Sequence, residues 1–72
     1  MSKRDKIVLQ KIVEESTVLT QMLDGLDRSA FLANDEKMRA TCMTLINIGE
    51  LVKKLTEDFR QHWQLIPWKE IA

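Results

Sequence analysis

The 72-residue sequence is poor in the residues that build turns and paired-ligand metal sites and has no long apolar run, and each scarcity removes a class of protein. A single cysteine, Cys42, excludes an internal disulfide and a thiolate metal cluster, and fits a reducing compartment. The one histidine, His62, excludes metal sites built on paired histidines, and tyrosine is missing altogether. With two glycines and one proline, turns are few and the elements between them must be long. No apolar run approaches the roughly 20 residues that a membrane span requires. The charged opening Ser2-Lys3-Arg4-Asp5-Lys6 does not read as an apolar signal core, so a cytoplasmic protein is expected. Eleven basic and eleven acidic side chains cancel, so no global positive field draws in nucleic acid. Any RNA contact has to come from a local patch.

What is present is a globular balance, 44% hydrophobic and 31% charged, which argues against disorder. A chain this short is one domain over residues 1–72, near the size where a single core is marginal without a metal, a disulfide or a second chain. The first helix is expected to begin near Ser2, as N-cap, with Asp5 close to the positive end of the helix dipole. Val8, Ile12, Leu19, Leu23 and Leu26 recur at helical spacing with Leu9 beside them, while Ile7, Val18 and Met22 widen the apolar face. Asp24-Gly25 should end this helix, because glycine takes the left-handed cap conformation most easily. Asp27 or Ser29 can cap a single turn carrying Phe31 and Leu32, which are expected to plug the end of a hairpin.

Asn34, followed by Asp35 and Glu36, has the side-chain chemistry of a helix N-terminus. The second helix is predicted to run to about Arg60 or Gln61, roughly 40 Å at 1.5 Å per residue. Its core stripe is Met38, Leu45, Ile48, Val52, Leu55 and Phe59, with Leu51 at the edge. Met22, Met38, Met43 and Cys42 read as core filler by residue type. Met43 and Ile46 nevertheless point away from the stripe, and since one hairpin cannot bury both faces, the cover is expected to be either a later helix or a second copy of the chain. Gly49 inside the helix costs roughly 1 kcal/mol relative to alanine, a cost commonly offset by the close approach of another backbone. His62 to Leu65 form a turn, and Pro67 suits the first position of a third helix, in which Trp68 and Ile71 must dock or fray.

Three groups of side chains are candidates for function. Asn47, Glu50 and Lys54 lie at spacings of three and four, as a solvated triad or as a set projecting into a cleft. Met43, Ile46 and Gly49 join them as a possible dimer or cleft face. Lys3, Arg4 and Lys6 form a local basic run that could contact phosphate. Arg60 and His62 are separated by one residue, and no carboxylate pair with acid/base geometry stands out.

The segment Ile48-Gly49-Glu50, Lys54, Leu55, Glu57-Asp58-Phe59-Arg60 and Ile66-Pro67-Trp68-Lys69-Glu70-Ile71-Ala72 resembles the middle of the HepT-like ribonuclease toxins of the HEPN superfamily. The resemblance implies an all-α fold: an antiparallel helical hairpin with the start of a third helix, the N-terminal part of a HEPN-type bundle. It implies a homodimer, metal-independent and cofactor-free RNA cleavage, and a toxin–antitoxin pair whose antitoxin is a minimal nucleotidyltransferase. In the family an arginine, four to six residues and a histidine follow this segment, usually with a tyrosine beyond. The sequence reaches Ala72 first, so the domain is expected to be C-terminally incomplete relative to the family. The expected function is the dimer-forming part of an RNA-cleaving toxin, inactive as it stands, with RNA the substrate of the complete protein. A non-catalytic dimerisation or antitoxin-binding module is the alternative, and direct RNA binding by the basic N-terminus a third reading.

Overall fold

Ser2 starts the first helix, α1 (Lys3–Leu23), by accepting the Asp5 N–H at 3.1 Å while its hydroxyl donates to the Asp5 carboxylate at 2.9 Å. The computed structural model describes residues 2–72. The helix stops where Gly25 turns to φ +71°, the left-handed region that a side chain disfavours. Asp27 caps the short α2 (Arg28–Leu32) by accepting from Ala30 N–H at 2.8 Å. Asn34 caps α3 (Asp35–Lys53) by accepting from Lys37 N–H at 3.0 Å. Each of these caps occupies a position that the sequence favours. The Lys37 ammonium also reaches back to the Met22 carbonyl at 3.3 Å, placing a cation at the C-terminal end of α1. α1 and α3 pack as an antiparallel hairpin, and the described residues contain no strand. None of their helices is long and apolar enough to cross a membrane.

The second long helix does not continue to Arg60. It ends at Lys53, about 28 Å long, and the chain restarts as α4 (Glu57–His62). The reason lies 50 residues upstream. At the break Leu55 N–H takes the Val52 carbonyl, the acceptor that Thr56 N–H would have used in a continuing helix. Asp5, 2% exposed, supplies the replacement: it accepts the Thr56 N–H at 2.8 Å and the Thr56 hydroxyl at 2.6 Å. Arg4 donates from Nε to the Lys54 carbonyl at 3.1 Å. Thr56 in turn caps α4 by accepting from Phe59 N–H at 3.2 Å. Thr56-Glu57-Asp58 is thus an N-terminal signature inside an apparently continuous apolar stripe.

The core is thin. Its buried apolar side chains are Val8, Val52 and Leu55, gathered at the junction end of the hairpin, and further along α3 the buried residues are Thr41, Thr44 and Gly49. The seam therefore runs through Thr44 rather than Leu45, which is 52% exposed. One residue is a rotation of about 100° on a helix, and the smaller threonines let α1 approach. Cys42 is exposed rather than buried, Met43 is exposed rather than core filler, and Leu32 is exposed while Phe31 is half-buried at the hairpin end. Met22 and Met38 are half-buried.

After α4 the chain turns and forms one more turn of helix, α5 (Trp68–Ile71), with Pro67 at the cap position. Its docking rests on Trp68, whose indole N–H donates to the Arg60 and Trp63 carbonyls, both at 3.2 Å. The Trp68 ring lies 6.0 Å from Phe59, tilted by 54°.

Burial pushes the Asp5 pKa up, but hydrogen bonds from the Thr56 N–H, the Thr56 hydroxyl and the Ser2 hydroxyl, with the Arg4 charge, outweigh it and hold the carboxyl below its usual range. A depressed folded pKa contributes stability above the unfolded value of about 3.9, and that stability is lost as pH falls through the folded one. Thermal unfolding followed by circular dichroism should therefore show a midpoint that drops as pH is lowered from about 5 towards 2. In Asp5→Asn the midpoint should be lower at pH 7 and this acid dependence weaker, whereas the exposed control Glu14→Gln should behave as the parent chain.

Candidate functional site

Three concavities border the junction and the outer side of α3. One lies where the start of α1 meets α4 and is lined by Ser2, Asp5, Thr56, Asp58, Phe59, His62 and Trp63, about 490 Å³. Asp5 and Thr56 form its polar floor because they satisfy each other there. Phe59 and Trp63 form apolar walls, and the His62 ring stands nearly edge-on to Trp63, 5.2 Å away at 80°. His62 is exposed, but it is the last residue of α4 rather than part of the expected turn, which begins at Trp63 because α4 restarts at Glu57 and runs through it.

The second concavity is a shallow hollow of about 300 Å³ between α3 and α5, lined by Leu45, Ile46, Gly49, Glu50, Ile71 and Ala72. Gly49 explains its existence. A Cβ at this position would stand 3.2 Å from the Ile71 carbonyl oxygen and 3.6 Å from the Ala72 carbonyl carbon. The close approach expected of a helical glycine is thus made by α5 itself. The third, about 410 Å³, lies between α1 and α3 and brings Asn47, Glu50 and Lys54 together with Lys11, Glu14, Glu15 and Leu51.

The sequence-predicted residues therefore fall into separate places. Asn47, Glu50 and Lys54 share one cleft, but Glu50 pairs with Lys53, at 3.2 Å, and Lys54 is the C-cap of α3. Ile46, Gly49 and Glu50 share the hollow under α5, and Met43 borders neither. Lys3 and Lys6 are exposed on the first two turns of α1, while Arg4 is held on the Lys54 carbonyl. Sequence reasoning missed the Asp5–Thr56 pairing, for which the only local signal was the acidic pair after Thr56. It also missed the Arg60 Nε, which is buried without a hydrogen-bond partner among the described residues. Those residues contain no group of three His, Cys, Asp or Glu side chains that could hold a metal ion.

Residues 11–72, which carry all three concavities apart from the start of α1, match the family model described as Ribonuclease HepT-like. The chain belongs to the HepT-like ribonuclease family. It is 34% identical over 70 residues to a protein of Caldanaerobacter subterraneus subsp. tengcongensis named "Putative RNase", covering 97% of this chain and 62% of that protein. A protein of the same name from Methanocaldococcus jannaschii is 33% identical over 73 residues, covering the whole of this chain and 67% of its own length. The chain thus spans between three-fifths and two-thirds of the length of these HepT-like relatives. No solved structure matches.

Within this family member, the contact at Gly49 makes the seat of α5 directly testable. Gly49→Val should push α5 off α3, because the obstacle is main chain rather than a flexible side chain. Trp68 fluorescence should shift to the red while far-UV helicity, carried by α1 and α3, is retained.

Proposed function

We propose that this chain is the dimer-forming helical scaffold of a HepT-like RNA-cleaving toxin, a single domain over residues 1–72 that does not cut RNA by itself. The observation that carries the reading is the mismatch between core and surface. The chain exposes 5803 Å², about a quarter more than the roughly 4,600 Å² of a compact monomer of its mass. Among the described residues three apolar side chains are buried, while Met43 and Ile46 on the outer side of α3 are 60% and 59% exposed. An apolar helix face this open needs a cover, and a second copy of the chain supplies one of matching chemistry.

Family membership and the names of the relatives support RNA as the substrate of the complete protein. Within the 72 residues His62 is the sole histidine and stands two positions from Arg60, so the family's arginine–histidine spacing does not occur. In this reading Asn47 and Glu50 border the cleft between subunits, the cognate partner is a minimal nucleotidyltransferase antitoxin, and the pair acts in the cytoplasm. The same open face also suits a non-catalytic dimerisation or antitoxin-binding module, which differs in leaving RNA uncut at every chain length.

Multi-angle light scattering at micromolar concentration should give the mass of two chains, and Ile46→Lys should return a monomer. A stable monomer of the parent chain would remove the dimer from this reading. Separately, the 72-residue chain should leave RNA intact, whereas a family-length protein beginning with these residues should cleave it without added metal. RNA left intact by the longer protein would favour the non-catalytic module.

A further inference from the structure

The cleft between the start of α1 and α4 is not used by the scaffold reading, and its chemistry is specific. At about 490 Å³ it falls within the roughly 300–1,000 Å³ range of small-molecule sites. One wall is the Trp63 indole, 49% exposed, with the His62 ring standing nearly edge-on 5.2 Å from it. Asp58 lines the cleft, and among the described residues its carboxylate takes part in no hydrogen bond or ion pair. The Asp5 carboxylate, by contrast, is fully engaged by Ser2 and Thr56. Among the described residues the cleft therefore sets an exposed, unpaired carboxylate and a half-exposed indole on one lining. Lys3 and Lys6, both exposed, lie on the turns of α1 that contribute Ser2 and Asp5.

An aromatic wall with adjacent polar groups is how single-stranded RNA bases are held, by stacking and by hydrogen bonds along the base edge. The edge chemistry selects among the four bases. A carboxylate offers two acceptors and no donor. Guanine alone presents two adjacent donors, N1–H and the N2 amino group, on its Watson–Crick edge. Adenine and cytosine each set one amino donor next to a ring-nitrogen acceptor, and uracil flanks its single N–H with two carbonyls. We propose that this cleft is a guanine-binding subsite for single-stranded RNA, with the base stacked on Trp63 and its N1–H and N2 amino group donated to Asp58. The proposal rests on the reading of the protein as one that acts on RNA. The neighbouring Lys3 and Lys6 supply the cations for the attached phosphates.

The test uses the 72-residue chain and U-rich RNA hexanucleotides that carry one central G, A or C, with tryptophan fluorescence as the readout. The G-containing hexamer should quench emission saturably and bind about tenfold or more tightly than the others. Asp58→Asn should remove that preference, and in Trp63→Ala, which lacks the reporter and is followed by fluorescence anisotropy of dye-labelled hexamers, binding should be lost while far-UV helicity and the unfolding midpoint stay near those of the parent. Absence of saturable quenching, equal affinity for all the hexamers, or an unchanged G preference in Asp58→Asn would overturn the subsite. Cleavage by the family-length protein is measured apart from binding. RNA cut without G-selective binding removes the subsite alone, and G-selective binding without cleavage supports the subsite while removing the ribonuclease reading.

Discussion

Interrupting a helix frees a carbonyl before the break and an N–H after it, and in this protein both are met by consecutive side chains at the start of α1. Arg4 donates to the Lys54 carbonyl, and Asp5 accepts from the Thr56 N–H and hydroxyl. A cation serves the negative end of α3 and an anion the positive end of α4, so the pairing follows the sign of the helix dipoles. Almost everything below the hairpin depends on it. α4 leaves α3 at Thr56, Phe59 is brought against Trp68, and the Trp68 indole ties the turn to the Arg60 and Trp63 carbonyls. Without the buried carboxylate, the Thr56 N–H would be an orphan donor in a part-buried place.

The other constraint is the shortage of core. A hairpin of two helices of about twenty residues buries one stripe, and here that stripe narrows from Val52 and Leu55 at the junction to threonines further along α3. Small polar seam residues allow close approach but contribute little apolar burial. The outer side of α3 meanwhile keeps Met43, Leu45 and Ile46 largely in solvent. The apolar side chains that the hairpin does not bury are thus gathered on that outer side. α5 covers only the Gly49 segment, where the absence of a side chain lets main chain approach main chain.

Much of this was legible in the residues. Ser2, Gly25, Asp27 and Asn34 mark helix ends by local chemistry that needs no partner, and the structure uses all four in those roles. The unusual glycine at position 49 announced a close contact, and the Pro67-Trp68 pair announced a docked turn. Leu45 and Thr44 were harder, because both stand within one residue of the seam and the choice depends on how near α1 comes. Cys42 was misplaced by reasoning from residue type, which says how often a cysteine is buried and not which way this one faces.

The sequence by itself determined the all-α class, the hairpin, the caps and the family, since each follows from periodicity, from side chains acting on their own neighbours, or from a motif with fixed order. The tertiary structure alone decided which carboxylate is buried, what meets the N–H freed at the break in the second long helix, and which aromatic side chains line the cleft beside Asp58. The break is settled by a contact across 51 residues of chain, between Asp5 and Thr56, and no local pattern encodes a partner that far away. The apolar stripe continues through Leu55 and Phe59 whether or not the helix does. The Thr56-Glu57-Asp58 signature permits a new helix start, and the start of α1 beside Thr56 supplies the acceptor that the interrupted helix lacks.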